Sequence, residues 1–126
     1  MKFHIEYDST IDSLIIEVYG IITCDDLLRL AHQIIEHPQF KTNMNQLFDT
    51  TKGELHLSKE DIERIASEFM QLENALGLNR RLALAVTRTV DFGMMRQYEV
   101  FFQSGPDVMV KSFKNVDKAR AWLKPD

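Results

Sequence analysis

Three corners of the sequence gather hydroxyls and acids: Thr23-Cys24-Asp25, Asp49-Thr50-Thr51, and Thr87-Arg88-Thr89 with Asp91 just beyond. Each follows an apolar run that reads as a strand. In open α/β sheets, small ligands settle beyond the carboxyl ends of the strands. Asp49, Thr50, Thr51, Arg88 and Asp91 are therefore candidate contacts for a small polar ligand or a partner peptide, with Arg88 as its charge partner. The plainer reading, and the preferred one, is that such hydroxyls and acids cap helices.

Other chemistry finds less support. Asp91-Phe92-Gly93 is the triplet that holds magnesium in protein kinases. It works only beside a glycine-rich loop, a strand lysine and a catalytic loop, none of which this sequence has. Cys24 stands at a helix start, where a thiol pKa can fall, but Asp25 and Asp26 push it back up. His4, His32, His37 and His56 lack metal-ligand spacing, so no metal is expected. Arg80-Arg81 precedes a strand and Arg88 follows it, so these charges do not form one phosphate clamp. No nucleophile–base pair or acid–base carboxylate pair can be placed, which argues against an enzyme.

Composition narrows the classes further. The chain has 126 residues, of which 44% are hydrophobic and 27% charged, with a net charge of -4 and a pI near 5.5. Mild acidity argues against binding nucleic acid through counterion release. No apolar run approaches the ~20 residues that cross a bilayer, and charges interrupt the N-terminus early. One cysteine excludes an internal disulfide. A cytoplasmic protein without stable membrane insertion is expected.

The elements that would position these corners can be read from periodicity. Phe3, Ile5 and Tyr7 alternate with Lys2, His4 and Glu6, as in a strand, and Asp8 to Asp12 is turn chemistry. Leu14 to Tyr19 reads as a more central strand. Thr23 with Asp26 fits a capping box; Leu27, Leu28, Ala31, Ile34 and Ile35 form one helical stripe, ended by Pro38. Gln46 to Asp49 reads as a short buried strand, followed by a loop through Gly53. Ser58 and Asp61 repeat the capping pattern before Ile62, Ile65, Ala66, Phe69, Leu72 and Leu76, and Gly77 sits where a C′ glycine belongs. Arg81 to Thr87 places Leu82, Leu84 and Val86 on one face, and Ala83 and Ala85 on the other. Met94, Met95, Tyr98, Phe101 and Phe102 recur at helical spacing, with Asp91 or Thr89 as the cap. Past a break at Gly105-Pro106, Val108 to Phe113 is a last strand, and Asn115 caps a helix bearing Val116, Ala119, Trp122 and Leu123. The order β-β-α-β-α-β-α-β-α predicts a single α/β domain over 1–126. Its five-stranded mixed sheet would have the first strand antiparallel, the others parallel, and about four helices.

Four stretches, "GIITCDDLLRLAHQII", "LFDTTKGELHLSKEDIERIA", "RLALAVTRTVDFGMMRQYEVFF" and "VKSFKNVDKARAWL", carry a wider likeness. Their spacing resembles the SpoIIAA-like fold shared by STAS domains such as anti-sigma-factor antagonists. It is similar in particular to a branch of small bacterial STAS/SEC14-like proteins of unassigned function. The resemblance implies near-sequential strand order, helices mainly on one side of the sheet, and a regulatory or ligand-binding role without a cofactor. The antagonists carry Asp-Ser-Ser-Gly, with a phosphorylatable serine, at the start of the helix after the third strand. Ser58 stands near that place here, but the flanking Asp, Ser and Gly are missing, and Glu60 and Asp61 would repel a phosphate. Ser58 reads first as a plain N-cap and second as a candidate phosphoacceptor.

Phe92, Met94, Met95, Tyr98, Phe101 and Phe102 place six large apolar groups within eleven residues. Either all are core, or some form an interface or the wall of a pocket. Were helices to cover one face of the sheet only, the other would carry Ile15, Tyr19, Ala83, Ala85 and Met109, an apolar surface for a second subunit. Two functional classes follow. One is a non-enzymatic regulatory or protein-interaction module that self-associates as a homodimer, as the STAS resemblance implies. The other is a carrier or sensor of a small hydrophobic or lipid-like ligand, as the SEC14-like comparison suggests.

Overall fold

The computed structural model describes residues 1–99 and 107–125, without the side chains of residues 90, 97 and 98. Strands β1 (Lys2–Asp8) and β2 (Ser13–Ile22) form an antiparallel hairpin, with Lys2 opposite Tyr19 and Asp8 opposite Ser13. Its turn is built by Asp8, whose carboxylate accepts the Thr10 N–H at 2.9 Å, and by Asp12, which takes a left-handed φ of 47°. Helix α1 (Cys24–Ile35) starts with the predicted capping box between Thr23 and Asp26. Its buried face runs through Leu30, Ala31 and Ile34. The stripe as spaced in the sequence omits Leu30 and includes Leu28 and Ile35, which are only half-buried.

Strand β3 (Asn45–Leu55) corrects the expected short strand and loop. Two residues, Thr50 and Thr51, separate Asp49 from Lys52 on β3, whereas one separates their partners Glu17 and Tyr19 on β2. This is a β-bulge. Pairing then resumes through Gly20 opposite Gly53 and Ile22 opposite Leu55. The polar run "TTKGE" is held extended by its neighbour and not by its own periodicity. Helix α2 (Lys59–Gln71) opens on a capping box between Ser58 and Asp61 and stops at Leu72. A single turn, α3 (Glu73–Leu76), follows, so the second predicted helix is two elements and the described residues hold five helices. Gly77 (φ 100°, ψ 157°) occupies a region open essentially to glycine alone.

Strand β4 (Asn79–Ala85), helix α4 (Thr89–Tyr98), strand β5 (Asp107–Phe113) and helix α5 (Val116–Leu123) complete the described order. The five strands lie in sequence order, β1-β2-β3-β4-β5, and every pair after the hairpin is parallel. The N-cap of α4 is Arg88 and no side chain caps it, which corrects the role given to Asp91 or Thr89. The predicted break at Gly105-Pro106 lies outside the described residues.

Alternation sorts the sheet into two faces. Leu14, Ile16, Val18, Phe48, Leu82, Val108 and Val110 pack under Leu30 and Ile34 of α1. On the other face Ile15, Leu47, Ala83 and Ala85 pack under Ala119 and Leu123 of α5. The small Ala83 and Ala85 let α5 lie close to β4. Asn115 caps this helix as predicted, its side chain accepting the Lys118 N–H. The second face is thus covered by the chain's own last helix, which removes the bare surface for a second subunit; Met109 alone of that set is exposed, at 49%. Three further contacts hold α5. Arg120 donates to the Asp8 carboxylate, Arg81 Nη1 donates to the Trp122 carbonyl at 2.7 Å, and Trp122 meets Phe113 at a centroid distance of 5.6 Å.

Candidate functional site

The mid-strand bulge of β3, which runs on to Leu55 and so does not end at Asp49 as expected, and the carboxyl end of β4 bring the five predicted polar residues into one corner. The bulge places them there. Asp49 accepts both the N–H and the hydroxyl of Thr51, at 2.9 and 2.6 Å. Thr50 donates across to the Ala85 carbonyl at 2.9 Å, and Thr87 donates back to the Thr51 carbonyl at 3.2 Å. Arg88 pairs with Glu54 at 3.0 Å and with the buried Asp91 at 3.6 Å. The Thr50 and Thr87 hydroxyls are therefore engaged by backbone carbonyls and the Thr51 hydroxyl by the Asp49 carboxylate, and two carboxylates of the same chain hold Arg88. The corner ties the start of α4 to the far half of β3.

Beneath this corner lies an apolar cleft. Leu27 of α1, Ile65 and Phe69 of α2, Leu84 of β4 and Met95 of α4 are among its walls, and Thr50 is the polar residue that reaches it. Its volume is about 60 Å³. Met95, 5% exposed, packs with Ile62 and Val86, and half-buried Phe92 and Met94 pack against that cluster. The Lys114 ammonium sits 5.0 Å from the centre of the Phe92 ring, within cation–π range. Of the six predicted interface or pocket residues, Met95 is buried and lines the cleft, while Phe92 and Met94 pack against the cluster that Met95 forms with Ile62 and Val86. The Tyr98 side chain, Phe101 and Phe102 lie outside the described residues.

The remaining candidates stand apart from this corner. Ser58 is exposed, and its hydroxyl accepts the Asp61 N–H at 3.1 Å. The Cys24 thiol is buried and donates to the Asp61 carbonyl at 3.8 Å. Burial, followed by the Asp61 charge, pushes its pKa up, so Asp61 outranks the neighbour Asp25 in setting it. His32 approaches Glu68 at 3.2 Å across the α1–α2 surface. Among the described residues no group of three or more His, Cys, Asp or Glu is arranged to hold a metal, and no helix is long and apolar enough to cross a membrane.

One residue escaped the sequence reading. Arg80 reads as a charge ahead of a strand, yet it lies inside β4 and is 4% exposed. Its Nε donates to the Gly77 carbonyl at 3.2 Å, while its Nη1 has no hydrogen-bond partner. Loss of solvent alone depresses its pKa. The alternation Arg80-Leu82-Leu84 is the signal that could have placed it, since it continues the buried face of the strand.

A hairpin followed by alternating helices and parallel strands in sequential order defines an α/β protein of SpoIIAA-like fold. The chain is similar to a crystal structure described as an uncharacterized protein from the DUF3478 family with a SpoIIAA-like fold, from Shewanella loihica. The two match at 17% identity with a TM-score of 0.61, over 97% of this chain and 92% of the other. At that identity the likeness is one of fold. No protein-family model matches the sequence, and neither does any curated protein.

Proposed function

We propose that the protein is a non-enzymatic interaction module of STAS type. Its working surface is the apolar cleft between α2, α4 and the sheet, which receives an apolar side chain from a second copy of the chain. The size of the cleft carries this reading. About 60 Å³ falls well below the roughly 300–1,000 Å³ of sites that enclose a small molecule, and leaves room for the tip of one inserted side chain. Met70 on α2 is exposed beside Phe69, which lines the cleft. An exposed methionine next to an apolar cleft is a self-complementary patch of the kind a two-fold dimer uses, and methionine adapts its shape to such a contact. The apolar wall also favours a second reading, a carrier of a hydrophobic or lipid-like ligand, which would require α4 to move away from α2.

Sedimentation equilibrium and native mass spectrometry separate the two. The expected result is a dimer that Met70→Asp or Met94→Asp converts to a monomer with unchanged circular dichroism. A monomer at every concentration refutes self-association. A monomer bearing an adduct of ligand mass would instead support the carrier.

A further inference from the structure

The fold sorts the methionines by reach. Met44 and Met95 are buried, and Met94 is half-buried. Met1, Met70 and Met109 are exposed, with Met70 the most open of them at 54%. Met109 lies toward the other end of the sheet on β5, and Met1 precedes the edge strand β1. Of the three, Met70 alone stands on a helix that walls the apolar cleft, one residue after Phe69.

Oxidation changes what such a side chain can enter. A thioether is apolar, whereas its sulfoxide carries a polar oxygen that accepts hydrogen bonds. The cleft offers that oxygen no donor side chain. Thr50 is the polar residue that lines it, and the Thr50 hydroxyl already donates to the Ala85 carbonyl at 2.9 Å. The other lining side chains are hydrocarbon, apart from the Met95 thioether. A sulfoxide pushed into this wall would be desolvated without a partner, which opposes insertion. The single cysteine does not compete for the oxidant, because Cys24 is buried and its thiol pKa is pushed up.

We propose that Met70 is an oxidative modification site, and that its conversion to methionine sulfoxide by hydrogen peroxide dissolves self-association at the apolar cleft. This rests on the contact proposed above. The sulfur lone pair takes one oxygen from the peroxide, the O–O bond breaks and, after proton transfer, water leaves. Sulfur loses the two electrons that the peroxide gains. Two thiols of a sulfoxide reductase reverse the step, becoming a disulfide and releasing water. Association shields Met70, so the sulfur that reacts belongs to the separated chain, and oxidation traps the monomer.

The test adds hydrogen peroxide to the purified chain below and above the concentration at which it dimerises. Peptide mass mapping follows each methionine, and sedimentation equilibrium follows the association. In dilute solution Met70 and Met109 should gain oxygen at similar rates, ahead of Met44 and Met95. In concentrated solution Met70 should fall severalfold behind Met109. Oxidation of Met70 should weaken association about tenfold or more, and treatment with methionine sulfoxide reductases should restore it. Met70→Leu, whatever its own affinity, should not respond to peroxide, and Met109→Leu should respond as wild type does. Affinity unchanged once Met70 is oxidised, or a Met70→Leu dimer that still dissociates on treatment, overturns the switch and leaves the cleft contact standing. Met70 oxidation that keeps pace with Met109 in the dimer, or a chain that is monomeric before any treatment, overturns the contact and the switch together.

Discussion

Replacing Asp8 with asparagine removes a charge but keeps an acceptor. The carboxylate accepts from the Thr10 hydroxyl at 2.5 Å and from its N–H at 2.9 Å, and it receives the Arg120 guanidinium. The Thr10 hydroxyl first, and Arg120 second, hold the Asp8 pKa at about 2, below its ordinary 3.8. At about 1.4 kcal/mol per pH unit, that drop sets a ceiling of about 2.5 kcal/mol on the extra stability of the ionised form. The Asp8 and Arg120 side chains are 22% and 34% exposed, so solvent screening lowers the expected value to about 1 kcal/mol. Because folding depresses this pKa, the contribution is complete above pH 4 and is lost as pH falls toward 2. Urea unfolding of wild type and Asp8→Asn should differ by about 1 kcal/mol at pH 7, and the gap should close as pH is lowered through that window. A gap that persists unchanged at pH 2 would refute the assignment, since a protonated Asp8 and an asparagine make nearly the same contacts.

Two further outcomes are expected. Trp122→Ala should cost about 2 kcal/mol in denaturant titration, less than a fully buried ring, because Trp122 is half-buried between Phe113 and Arg81; a loss under about 0.5 kcal/mol would mean that α5 does not dock through it. Gly77→Ala should cost about 3 kcal/mol by thermal unfolding, since φ is 100° and the new Cβ would lie 2.5 Å from the Asn43 nitrogen; a neutral substitution would contradict that backbone.

What could be read from the sequence was local. Thr23 with Asp26 and Ser58 with Asp61 close hydrogen bonds within four residues, so their spacing was sufficient to place both helix starts. The alternation of Leu82 and Leu84 with Ala83 and Ala85 separated the two faces of β4, although not which helix lies over the alanines. Long-range features stayed hidden. Thr50 to Leu55 is polar and carries a glycine, and it becomes a strand only because β2 extends beside it past the bulge. Leu72 interrupts a continuous apolar stripe. Arg80 looks like a flanking charge until the pairing of Arg80 with Val108 draws it into the sheet. At the candidate corner the residue types were legible, and Arg88 with Asp91 is a local pair, but the ion pair of Arg88 with Glu54 depends on bringing distant segments together.

The sequential order of the strands has a consequence for synthesis. Each strand can add beside its predecessor as it leaves the ribosome, so the sheet can grow without waiting for distant chain. Only the face formed by Ile15, Leu47, Ala83 and Ala85 must wait, because α5, the last described element, is what shields it from water. Between the emergence of β4 and the docking of α5 that greasy strip is open to chaperones or to a neighbouring nascent chain, and slowing translation near residue 115 would prolong that vulnerable interval.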